Sequence, residues 1–191
     1  MGSREHGGER ARRTRRALRA ALLELVLERG LEATTVQDIC VRAGLDRSTF
    51  YLHFADKRAL LESCQRQLVD ELFAGSGAQN TIADRVLAAF RHMARHAVAY
   101  QALLVVPDAE LERRLNDYLA EHVAAALEAT AHGAELPVPL LAQYVAGGLR
   151  GMARWWLAAG MPYPPEEIAD TFGRILAHGL AGLGAGGHAG P

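Results

Sequence analysis

The sequence predicts an all-α protein of about nine helices, with an N-terminal three-helix unit containing a helix-turn-helix and a larger helical body behind it. Ala, Leu, Arg and Glu are abundant while β-branched residues are scarce and scattered, which favours helix along most of the chain. Apolar residues recur at intervals of three and four over long stretches, the period of a helix with one buried face. Two short helical segments flank a glycine-containing turn between Thr34 and Leu61, the arrangement of a helix-turn-helix. Of the 191 residues 50% are hydrophobic and 23% charged, enough apolar surface for one or two cores.

Residues 1–9 are Gly-rich and polar and read as a disordered tail. A basic arm with Arg10, Arg12, Arg13, Arg15 and Arg16 merges into a first helix, Thr14 to Arg29. This helix repeats Leu18, Leu22, Leu25 and Val26 on one face and stops at Gly30. Thr34-Thr35 offers an N-cap to a second helix, Val36 to Ala43, which Gly44 breaks. Asp46 is the expected cap of a third helix running to about His53, and Asp56 of a fourth running to about Phe73. Residues 10–61 thus form the first unit, and the fourth helix, 56–73, links it to the second, residues 74–183. Gly75 to Gln79 reads as a linker. A helix from Asn80 or Thr81 then carries Ile82, Val86, Phe90, Met93 and Ala97, followed by a short apolar segment from Tyr100 to Val106 that Pro107 ends. Asp108 caps a helix bearing Leu111, Leu115, Leu119, Val123 and Leu127, with Gly133 beyond its end. Pro137 and Pro139 open the helix that Gly160 closes. Pro164-Pro165-Glu166-Glu167 starts the last helix, which runs to about Leu183 with proline and acids in its first turn. Residues 184–191 read as a second disordered tail.

The net charge of -1 hides an asymmetry. Residues 1–66 hold 13 Lys and Arg against 9 Asp and Glu, whereas the remainder holds 8 against 13. A basic front on an acidic body suits a protein that turns one end toward phosphates. Cys40 and Cys64 lie in helical stretches without metal-ligand spacing and read as buried thiols. The apolar run from Tyr144 to Gly160 holds Arg150 and Arg154 at mid-span, against a membrane helix, and the expected location is the cytoplasm. The chain lacks a nucleophile-elbow, zincin or P-loop signature, and it is read as a non-enzyme without cofactor.

Helical geometry divides the helix-turn-helix. Ile39, Cys40, Leu45, Phe50 and Phe54 are its packing residues, which leaves Arg47, Ser48, Thr49, Tyr51 and His53 for double-stranded DNA. The residues Thr35, Ile39, Ala43-Gly44, Thr49-Phe50-Tyr51, His53-Phe54, Lys57 and Leu60 together resemble the TetR family of bacterial regulators, over about Thr14 to Leu61. The resemblance implies a homodimeric repressor with an all-helical C-terminal domain for ligand binding and dimerisation. Thr35, at a helix N-terminus, suits a phosphate. The resemblance places Tyr51 and His53 at phosphates, and Lys57 adds a point charge to a backbone contact. Arg47, Ser48 and Thr49 carry the base choice, Arg47 by the preference of arginine for guanine. Family members often have Ser where Asp46 stands, and its carboxylate cannot donate to a phosphate. The basic arm either reaches an adjacent minor groove or stays solvated.

In the second unit, Gly147, Gly148 and Gly151 beside Arg154-Trp155-Trp156, with Ile168, Phe172, Ile175, Leu176 and Leu180, predict a bundle of two helices from each subunit. A small, mostly apolar effector is expected between the central helices, with Phe90, Met93, His96, Tyr118, His122, Tyr144 and Trp155 as candidate lining by residue type. His92 and His96 are four apart but have no third ligand in sequence, so no metal is expected. The alternative reading keeps DNA binding and makes the C-terminal half a platform for a protein partner.

Overall fold

The computed structural model describes residues 2–74, 81–104, 108–129 and 137–185. Among them it contains nine helices and no strand: α1 (Gly2–Arg29), α2 (Val36–Ala43), α3 (Arg47–Tyr51), α4 (Lys57–Ala74), α5 (Ile82–Arg95), α6 (Ala97–Leu104), α7 (Ala109–Glu128), α8 (Val138–Ala158) and α9 (Pro165–Ala185). The expected linker at 75–79, the stop at Pro107, Gly133 and residues 186–191 of the second tail lie outside the described residues.

Local chemistry sets most boundaries. Gly30 takes φ +81°, and its N–H closes α1 on the Val26 carbonyl at 2.9 Å. A reciprocal capping box starts α2, in which Thr35 Oγ1 accepts from Asp38 N while Asp38 Oδ2 accepts from Thr35 N. Gly44, at φ +65°, ends α2 in a left-handed turn that swings the chain toward α3. Asp56 Oδ1 accepts from Ala59 N at 2.8 Å at the start of α4, and Thr81–Asp84 forms a second capping box before α5.

Three expectations are corrected. Residues 2–9, read as a tail, belong to α1. The stretch from Arg4 to Arg16 holds six Arg and two Glu, strong helix formers that outweigh the cost of Gly7 and Gly8. Asp46 has N-cap backbone geometry but makes no side-chain capping bond, and α3 spans five residues, short of His53. Leu52 N–H returns to Ser48 and Phe50 instead, tightening the helix into a turn. Leu45 is only partly buried.

Apolar stripes assemble into two clusters. Leu18, Leu22 and Leu25 of α1 pack with Ile39, Cys40, Phe50, Phe54, Leu60, Leu61 and Cys64. The second cluster holds Val69, Leu72, Phe90, Met93, Leu115, Leu119, Trp156 and Phe172. Helix α4 enters both, and Ala102, Leu103 and Leu111 of α6 and α7 complete the first. Charged pairs run along the same seam: Arg58 to Asp108 at 2.8 Å and Arg114 to Glu62 at 3.3 Å, each joining α4 to α7 or its cap.

Candidate nucleic-acid interface

Helix α3 is held to the first cluster by Phe50, which is fully buried and packs against Phe54 with ring centroids 6.0 Å apart. That anchor turns Arg47, Ser48 and Tyr51 outward as exposed side chains. Thr49 and His53 are half-buried at the edge of the same face. Arg47 Nη2 donates to the Tyr51 hydroxyl at 3.4 Å across one helical turn, and its guanidinium lies 6.0 Å from the Tyr51 ring centroid. The pair presents a cation and a phenol side by side, with donors enough for one base edge and one phosphate.

Thr35 is exposed at the N-terminus of α2, where the helix dipole favours an anion. Its hydroxyl donates to Asp38 Oδ2 at 2.6 Å, and Asp38 also pairs with Arg29 at 2.9 Å. The Thr35 bonds hold the Asp38 carboxyl below its ordinary range, so a carboxylate already sits on this helix end. On the opposite flank Arg42 binds Glu28 in a bidentate fork, with both bonds at 2.8 Å, and reaches Glu24 at 3.1 Å, fixing α2 against α1.

Lys57 has partners within the chain. Its Nζ donates to the carbonyls of Leu31 at 2.9 Å, Glu32 at 3.2 Å and Thr34 at 2.9 Å, which occupies all three ammonium donors. In this structure Lys57 braces the α1–α2 connection. The reason is local: Gly30 turns the chain, the buried Thr34 hydroxyl donates back to the Gly30 carbonyl at 2.8 Å, and the carbonyls left over point at the start of α4. Arg10 and Arg13 of α1 line a hollow with Ala43 and Leu45, beside the α2–α3 turn.

The effector candidates scatter. Met93 lines a cavity of about 40 Å³ between α4, α5, α6, α7 and α8. Phe90 is buried core, edge-on to Trp156 at 5.6 Å and Phe172 at 6.3 Å. His96 is exposed at the end of α5, 4.5 Å from the ring of His92. Tyr118 and His122 form an outer cluster on α7, where the Tyr118 hydroxyl donates to Asp70 Oδ1 at 2.6 Å and His122 Nε2 lies 3.4 Å from the same oxygen. Tyr144 and Trp155 are 63% and 53% exposed on the outer face of α8. Residue type alone puts aromatic and His side chains forward, whereas the cavity wall is mostly leucine, with Gln65, Tyr100 and Arg150 as its polar members. Sequence does carry a signal for Gln65, a lone amide in the buried stripe Leu61, Cys64, Leu68, Leu72. Among the described residues no group of three His, Cys, Asp or Glu is placed to hold a metal.

The sequence profile of bacterial regulatory proteins of the TetR family matches residues 18–64, and that of a transcriptional regulator C-terminal region matches residues 80–178, more than half of the chain. The HTH-type transcriptional repressor KstR2 of Mycobacterium tuberculosis is 45% identical over 60 residues, 29% of this chain. That alignment spans only 30% of the relative's length. A TetR transcriptional regulator from Streptococcus agalactiae shares the fold at TM-score 0.68 and 22% identity, covering 91% of this chain and 99% of its own. The transcriptional regulator FadR from Bacillus subtilis, solved in complex with stearoyl-CoA, superposes at TM-score 0.61 and 18% identity, over 84% and 96% of the two chains.

Proposed function

Because this chain belongs to the TetR family of bacterial regulatory proteins, we propose that it is a homodimeric transcriptional repressor that binds a palindromic operator and is released by a small molecule. The observation that carries the reading is α3: Phe50 anchors it inward while Arg47, Ser48 and Tyr51 stand exposed on its other face. In this reading Arg47, Ser48 and Thr49 meet base edges in the major groove, and Thr35, Tyr51 and His53 position the phosphates. The exposed arginines of α1, Arg12, Arg13, Arg15 and Arg16, add a salt-sensitive backbone attraction.

A single five-residue helix reads too few base pairs for a specific site, so two copies are needed. Leu140, Tyr144, Gly148, Gly151 and Trp155 recur at helical spacing and are all exposed, giving α8 an apolar stripe with two glycines at its middle. Ile175 of α9 is exposed as well. We assign this α8–α9 surface to the dimer. Release by a ligand is the reading that the cavity beside α4, the helix shared by both clusters, supports, and the stearoyl-CoA complex of FadR supports a ligand in a protein of this fold.

Binding stoichiometry on duplex DNA tests the reading. Two chains per short operator duplex, with Trp155→Glu reducing both dimer and DNA affinity, is the expected result. One chain per duplex at full affinity contradicts it.

A further inference from the structure

Leu52 is 82% exposed, more than any other large hydrophobic side chain among the described residues. Its backbone takes φ -69° and ψ -21°, and its N–H reaches the Ser48 carbonyl at 3.2 Å. The side chain therefore keeps the angular spacing of α3, although it stands one residue past the end of that helix. At about 3.6 residues per turn, two residues rotate a side chain by about 200°. Leu52 thus points almost directly away from Phe50, the buried anchor of α3, and so does the exposed Ser48, two residues before the anchor. Arg47 and Tyr51, joined to each other at 3.4 Å, lie to one side of that line. The outward face of α3 is a polar flank beside a ridge that ends in an isobutyl group.

Resting on the DNA-binding reading, we propose that Leu52 is a specificity-determining residue that packs on the C5-methyl group of a thymine in the major groove. The isobutyl tip has neither donor nor charge, so it gains nothing from a phosphate or from the polar edges of the other bases. The thymine methyl is the apolar group that the edges of the base pairs present in that groove. Covering two apolar surfaces with each other frees the water on both. The rise from Arg47 to Leu52 is about 7.5 Å, roughly two base-pair steps, so both side chains stay within one half-site. By residue type Leu52 looks like core, and its place on the outward face is what makes it a reader.

Duplexes in which deoxyuridine replaces thymine isolate the methyl group, because the swap leaves every hydrogen-bonding edge unchanged. The parent chain and Leu52→Ala are titrated by fluorescence anisotropy against the site selected with the parent, each thymine being replaced in turn in every half-site. Leu52→Ala should melt at the parent temperature, since the side chain is exposed. One position should cost the parent about fifteenfold in affinity when both methyls are removed, about fourfold for each methyl buried. At that position Leu52→Ala should bind the thymine and deoxyuridine sites equally, and it should bind the thymine site at least as weakly as the parent binds the deoxyuridine one. Its slope of log K against log salt should match the parent's, since no phosphate contact is lost. The assignment is overturned by a deoxyuridine profile identical in parent and variant, by a half-site without thymine, or by full affinity of the variant. A variant that melts far below the parent, or whose slope falls by about one or more, overturns it as well. Absence of sequence-selective binding by the parent, seen before deoxyuridine enters, would instead remove the DNA-binding reading itself and this proposal with it.

Discussion

Replacing Lys57 with Met separates two roles that a lysine at this position can have. Methionine keeps the unbranched stem and its packing but removes the ammonium, leaving the carbonyls of Leu31, Glu32 and Thr34 without their donor. A hydrogen bond from a charged donor contributes about 1.5–3 kcal/mol when buried, and the Glu32 bond is exposed and counts for little. The partly buried Leu31 and Thr34 bonds then set the expected loss at about 2–3 kcal/mol after discounting for solvent. For a chain of this size that lowers Tm by about 5–10 °C. Urea unfolding and calorimetry measure the stability arm. The second arm is the slope of log K against log salt for duplex DNA, whose magnitude falls by about 0.9 for each phosphate that is no longer neutralised. A brace predicts lower stability with the slope unchanged once binding is measured on folded protein. A variant of full stability whose slope drops by about one would refute the brace and restore Lys57 to the phosphate backbone.

Arg47→Ala should cost about 1–3 kcal/mol of specific affinity and relax one base position in each half-site, with non-specific binding nearly kept, as competition gel shifts would show. Phe90→Ala, which removes the ring that meets both Trp156 and Phe172 edge-on, should destabilise the protein by about 3–5 kcal/mol in urea unfolding. Glu110 is lowered to about 2 by hydrogen bonds from Arg113 and Arg114. Its contribution to stability is therefore complete above the ordinary carboxyl value of 4.5 and is lost as pH falls from there toward 2. An NMR titration should find its side chain still ionised at about pH 3, and a midpoint near 4.5 would contradict the pairing.

Much of the scaffold was legible because short-range chemistry wrote it. Val36–Ala43 could be read to the residue, since Thr35, Asp38 and Gly44 are a cap, its reciprocal partner and a left-handed stop. The inward set Ile39, Phe50 and Phe54 followed from helical spacing, and each is buried. What sequence could not supply was direction. Lys57 lies at the spacing of a phosphate contact, yet the chain's turn at Gly30 brings three carbonyls within reach of its ammonium. Asp46 has the residue type of a cap, but α3 is too short and exposed to need it. The cavity was less visible still, because lining leucines and core leucines look alike in sequence. Only the polar exceptions, Gln65, Tyr100 and Arg150, distinguish the wall, and Phe90, Tyr144 and Trp155 stand out for their size although one fills the core and two face outward.

The central claim is that the exposed face of α3 reads duplex DNA in two copies. Selection of bound sequences from a random duplex pool at moderate salt, with the parent chain and Arg47→Ala side by side, tests it most directly. The account predicts a two-fold symmetric site for the parent and loss of one defined base in each half-site for the variant. Absence of enrichment, or an unsymmetric site unchanged by Arg47→Ala, would contradict it.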